Sequence, residues 1–150
     1  MHCSLFLRDN FVYIPTAYKT DAGFYIERDP VATIPVDQSD VLSQKITEFL
    51  LQDPPRIPTP DRSASEERPD ILKYVKYKTW AAFSRHAETW SVGRARTGEF
   101  SIAVGRKVKP GAWLYDRKRL ITFPAGSALS EVVARTVSEI QAKAREISGV

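Results

Sequence analysis

The stretch Trp90-Ser91-Val92-Gly93-Arg94-Ala95-Arg96-Thr97-Gly98-Glu99-Phe100-Ser101-Ile102-Ala103-Val104-Gly105-Arg106-Lys107-Val108 settles the fold class. Strand side chains alternate between the two faces of a sheet. Trp90, Val92, Phe100, Ile102 and Val104 therefore point one way, and Ser91, Gly93, Ala95, Ser101, Ala103 and Gly105 the other. Thr97-Gly98-Glu99 supplies the turn. The pattern predicts a long β-hairpin with one bulky core face and one face of small residues.

Working outward, Ile71 to Tyr77 reads as a strand. Thr79 caps a short helix in which Trp80, Phe83 and Ala87 share a face. After the hairpin, Pro110-Gly111 marks a turn, and Trp113 to Tyr115 and Leu120 to Phe123 flank the charged run Asp116 to Arg119. Pro124-Ala125-Gly126-Ser127 breaks the chain and caps the last helix. There Leu129, Val132, Val133, Thr136, Val137, Ile140, Ala144 and Ile147 form a sustained helical stripe, and Gly149 stops it.

Towards the N-terminus, Ser4 to Leu7 and Phe11 to Ile14 flank the polar triplet Arg8-Asp9-Asn10 and read as a hairpin. Thr20 to Gly23 is a second turn, leading to Phe24-Tyr25-Ile26 and Val31 to Val36. Pro30 and Pro35 argue for an edge strand or a break. Asp37 to Gln52 reads as a helix capped by Asp37 or Ser39, with Leu42, Ile46, Phe49 and Leu50 on one face. Five of the ten prolines (Pro54, Pro55, Pro58, Pro60 and Pro69) fall within sixteen residues, among Ser63, Ser65, Glu66 and Glu67. They predict an extended surface loop at about 53–70. The expected architecture is α+β: a single domain over 1–150, its mostly antiparallel sheet covered by two main helices plus one short helix.

Composition excludes several classes. The 150 residues are enough for one domain and thin for two. The single cysteine, Cys3, rules out an intrachain disulfide framework. Apolar runs are far shorter than the roughly 20 residues of a membrane helix, and Met1 to Asn10 has no secretory pattern. A cytoplasmic location without membrane partners is expected.

Charge is uneven. Between Arg94 and Arg119 there are eight cations and two acids, which leaves the rest of the chain at −2 of the total +4. A basic segment attracts an acidic protein surface or nucleic acid. Arg94, Arg96, Arg106, Lys107, Arg117, Lys118 and Arg119 are the candidate partner-binding residues.

Signals for catalysis are sparse. His2, Cys3 and the distant His86 do not form a metal-ligand spacing, and Cys3 sits too near a chain end to be a positioned nucleophile. Phosphate-loop, dinucleotide and nucleophile-elbow motifs are absent from the sequence. His86 with Arg94 and Arg96 could imitate a metal-independent nuclease. Lys73-Tyr74-Val75-Lys76-Tyr77-Lys78 interleaves cations and aromatics, as single-strand nucleic-acid binders do, although packed tyrosines with snorkelling lysines give the same pattern. Cofactors are not implied.

Leu7-Arg8-Asp9-Asn10-Phe11-Val12-Tyr13-Ile14-Pro15-Thr16, Gly23-Phe24-Tyr25-Ile26-Glu27, the segment from Lys78-Thr79-Trp80 to Phe83, and Ile121-Thr122-Phe123-Pro124 together resemble the contact-dependent growth inhibition immunity proteins of bacteria. The resemblance spans most of the chain and carries no diagnostic chemical motif. It implies a non-enzymatic cytoplasmic protein that binds and occludes one cognate toxin domain. It transfers no functional residue. Inhibitors of basic nuclease toxins are expected to be acidic, whereas this chain is basic. Either its toxin presents acidic groups, or the local acids Asp61, Glu66, Glu67 and Asp70 make the contact. Binding to nucleic acid through 94–119 and metal-independent nuclease activity are the alternatives.

Overall fold

A computed structural model describes residues 2–61, 68–109 and 111–149. Strands β1 (His2–Arg8) and β2 (Phe11–Thr20) form the first hairpin. Its two-residue turn places Asp9 and Asn10 at φ 51° and 64°, where short polar side chains tolerate the left-handed region. β3 (Tyr25–Pro35) pairs with β2 through a register shift at Pro15/Thr16. It is the terminal strand on its side of the sheet, as its prolines require.

Helix α1 (Ser39–Leu51) buries Leu42, Ile46 and Leu50. Its cap position is Gln38, with no side-chain capping bond, so neither Asp37 nor Ser39 performs the expected role. The proline-rich stretch is not wholly irregular. Arg56–Ile57 forms a two-residue strand, β4, parallel to β2. Ser63, Ser65, Glu66 and Glu67 lie outside the described residues.

The strand expected at Ile71 to Tyr77 does not form. Asp70–Tyr74 is a 3-10 helix, which turns the consecutive residues Ile71 and Leu72 into the same aromatic cluster. A strand would send them to opposite faces. Helix α2 (Trp80–Ser84) follows, and the Thr79 hydroxyl accepts from the Ala82 amide at 3.1 Å.

The long hairpin is β5 (Glu88–Arg94) and β6 (Phe100–Lys109). β7 (Ala112–Tyr115) pairs with the far end of β6, and β8 (Ile121–Phe123) with its beginning. Pro110 of the expected turn lies outside the described residues. Helix α3 (Leu129–Ser148) is flanked by Ala128 at its cap, without a side-chain cap bond, and by Gly149 at φ 71°. The Pro124 to Ser127 turn precedes the cap instead of supplying it.

The sheet runs β3-β2-β1-β5-β6-β7, antiparallel throughout this path, with β4 attached to β2 and β8 to β6. The class is α+β. On one face α1 and α3 pack Leu42, Ile46, Val133, Val137 and Ile140 against Leu5, Ile14 and the predicted hairpin residues Trp90, Val92, Phe100, Ile102 and Val104. Phe49 and Leu129 border that core. On the other, α2 and the 3-10 helix pack Phe83, Ile71 and Leu72 on Phe6, Tyr13 and Val31. No helix among the described residues is long and apolar enough to cross a membrane.

Candidate functional site

The seven candidate cations follow one margin of the sheet without converging on a point. Arg94 and Arg96 are exposed at the β5–β6 turn, which is closed by Ala95 N–H to Glu99 O at 2.9 Å. The Arg94 guanidinium lies 5.6 Å from the Phe100 ring centroid, a cation–π distance. Arg106 and Lys107 sit six or more residues along β6, about 20 Å away at ~3.3 Å per residue. Alternation puts Arg106 on the helix-covered side with Val104, and Lys107 on the opposite side.

Lys107 is half-buried and donates to the Arg85 carbonyl at 2.7 Å. Burial, opposed by Glu88, is the main cause that lowers its pKa. Arg117, Lys118 and Arg119 form an exposed 3-10 turn, whose Lys118 amide donates to Asp116 Oδ1 at 3.0 Å. The Asp116 amide in turn donates to Val104 O, which pins this turn beside the middle of β6. Val108, Leu114, Tyr115 and Leu120 are exposed along the same margin. The result is a band of alternating cations and apolar side chains, suited to a surface rather than to one small molecule.

The small-residue face is covered unevenly. At the Gly105 end, β7 lays Trp113 over it. Nearer the start of β1, a cleft of about 480 Å³ opens between His2 and Phe6 of β1 and Tyr25 to Arg28 of β3. Ser4 and Ser91, paired across β1 and β5, carry the His2 ring between them, with Nε2 3.1 Å from Ser4 Oγ and Nδ1 3.0 Å from Ser91 Oγ. A neutral imidazole offers one donor and one acceptor, which matches two hydroxyl partners. Burial lowers the His2 pKa and so favours that neutral ring.

Tyr25 and Glu27 line this cleft. Glu27 keeps open contact with solvent, yet enough protein surrounds its carboxyl that lost hydration raises its pKa, moderated by a hydrogen bond from Ser4. Burial of the Tyr115 hydroxyl also raises its pKa, with Ser91 and Ser4 acting in the opposite direction. The carboxylate thus meets a serine and not the histidine, so it does not orient the ring as a general base. Cys3 on the other face is buried, and burial first, then Glu27, pushes its thiol up to about 12. Among the described residues no group of three or more His, Cys, Asp or Glu could hold a metal ion.

The nuclease arrangement is not assembled. His86 is exposed just before β5, and Arg94 ends that strand, so its full length separates them. The lysine–tyrosine run is engaged within the fold. Lys73 pairs with Asp29 at 2.7 Å and Asp70 at 3.1 Å, while the Tyr74 hydroxyl donates to Asp29 and that of Tyr77 to Asp9. Asp70 also accepts from the Asp29 amide at 2.8 Å, and is therefore a poor candidate for an acidic contact patch. Sequence reasoning missed His2 because its partner Ser91 is 89 residues away.

No protein-family model matches this chain, and no curated protein does. Solved structures do. A protein of unknown function from Neisseria meningitidis is similar with a TM-score of 0.62 and 15% identity, over 89% of this chain and 88% of that one. A chain of the CdiA-CT/CdiI toxin and immunity complex from Yersinia pseudotuberculosis is similar with a TM-score of 0.57 and 18% identity, over 93% of this chain and 95% of that one. At these identities the likeness is one of fold, and its second member places that fold in a toxin–immunity complex.

Proposed function

We propose that this protein is an immunity protein: a non-enzymatic cytoplasmic binder that occludes one cognate toxin domain. The observation that carries this reading is the near end-to-end fold similarity to a chain of a toxin and immunity complex. The sheet margin supports it. Arg94, Arg96, Arg106, Arg117, Lys118 and Arg119 are exposed beside Leu114 and Leu120, a mixture that suits a protein partner with acidic groups around an apolar centre. Lys107, held by the Arg85 carbonyl, contributes field more than contact.

The test is co-expression with the C-terminal domain of a large secreted protein encoded directly upstream. Restored growth and a stoichiometric complex on gel filtration are the expected results. Growth arrest despite soluble co-expression would sink the reading. Salt-steep binding to single-stranded oligonucleotides by the protein alone would favour nucleic acid instead.

A further inference from the structure

Arg8 ends β1 on the aromatic side of the sheet, and its side chain is only 9% exposed. Its guanidinium carbon lies 4.3 Å from the Tyr77 ring centroid. Asp9 is the nearest acid, but the Nε–Oδ2 distance of 3.6 Å is too long for a hydrogen bond, and that same oxygen accepts from the Tyr77 hydroxyl at 2.6 Å. Arg8 Nε is buried with no hydrogen-bond partner among the described residues. Guanidinium groups withdrawn from water normally have their fork of donors satisfied, because leaving them bare is costly.

A pocket of about 290 Å³ opens beside it. Arg8, Asp9, Asn10, His86 and Ser148 contribute its polar lining, and Leu7, Ala144 and Ile147 apolar surface. The wall at Asn10 is fixed, since its carbonyl accepts from the Val36 amide at 2.9 Å within a tight turn. Asp9 is the one acid of this lining, and its Oδ2 is engaged by the Tyr77 hydroxyl.

We propose that this pocket binds a carboxylate carrying a short apolar group, with Arg8 as its principal donor and His86 as a second polar contact. The guanidinium fork matches a carboxylate, and Leu7 and Ile147 accept the attached carbons. The carboxylate is either that of a free small acid or an acidic side chain of the protein partner; the second source rests on the reading given above, the pocket itself does not.

Butyrate and acetate serve as probes, titrated into the full chain while amide and His86 ring resonances are followed. Saturable shifts around the pocket are expected, with butyrate binding below about 10 mM and more tightly than acetate. Arg8→Gln should weaken butyrate about ten-fold or more, the usual worth of a charge-assisted bond. Ser148→Glu, an exposed change that places a competing carboxylate at the rim, should do the same without touching the core. Linear, non-saturating shifts in the parent protein, or unchanged affinity in Ser148→Glu, would overturn the site. With a captured toxin domain, loss of butyrate binding identifies the partner's carboxylate as the source, and retained binding identifies a free acid. Failure to capture any toxin leaves the butyrate result standing.

Discussion

Gly105 on β6 stands so close to Thr89 on β5 that a Cβ at Gly105 would overlap the Thr89 methyl, and would lie 3.2 Å from Trp113 Cδ1. The small-residue pattern is at this position used by the chain's own packing. Thr89 cannot yield easily, because its hydroxyl donates to the Leu5 carbonyl at 3.0 Å within the sheet. Gly105→Ala is therefore expected to destabilise by roughly 1–3 kcal/mol, the range for overpacking. Thr89→Ser removes the methyl and keeps the hydroxyl, so the double variant should recover most of that loss. Chemical denaturation of the four proteins of the cycle measures it, and additive losses would refute the contact.

The last helix is a core element. Ile140 is fully buried between α1 and the sheet, and Val137 is nearly so. Ile140→Ala should cost roughly 2–5 kcal/mol. Unchanged thermal midpoints in Ile140→Ala and Val137→Ala would remove α3 from the core.

Glu27 links stability to pH. Its folded pKa is raised, chiefly by burial, so the protonated form is the one the fold favours. Its contribution is full below the ordinary carboxylate range, near pH 4, and is lost as pH rises through the raised value. Glu27→Gln should thus melt above the parent at neutral pH, with the gap closing in acid. Asp29 acts oppositely. The Lys73 hydrogen bond, then that of Tyr74, lowers its pKa, so its contribution is present above the ordinary aspartate range and fades as pH falls through the lowered value. Thermal melts of both variants at two pH values decide it; parallel behaviour of Glu27→Gln and Asp29→Asn would contradict the assignment.

For the basic margin, Arg96→Glu with Arg106→Glu should slow association with an acidic partner more than it speeds dissociation, because exposed charges act mainly by steering. Stopped-flow binding at low and high salt measures this, and the difference should shrink as salt screens the field. Unchanged association rates would remove this margin from the interface and direct attention to the cleft between His2 and Tyr25.

Local periodicity made much of the architecture readable. The alternation in 90–108 and the stripe that opens at Leu129 bury most of the residues they name, because a face repeating every 2 or 3.6 residues can be buried only one way. Leu129 is partly covered, and Ile147, the last of the stripe, is exposed beyond the end of the core. The turns at Asp9-Asn10 and at Gly149 were legible for a similar reason, since few residues accept positive φ. The stretch from Ile71 to Tyr77 was not. Its short apolar run fits strand or helical turn equally, and the choice fell to the aromatic cluster that takes Ile71 and Leu72 together.

The candidate sites divide along the same line. Sequence by itself determined the composition of the basic margin, because eight cations among 26 consecutive residues are visible without a fold. Tertiary structure alone decided that His86 and Arg94 stand at opposite ends of a strand, that Lys73 and Tyr74 serve Asp29, and that His2 bridges two serines. It also decided that Arg8, written in the sequence as part of a polar turn, is buried against Tyr77 without a hydrogen bond for its Nε. The physical reason is that periodicity records which face of an element is covered. What covers it, and which polar atoms are left without partners, depends on elements dozens of residues away along the chain.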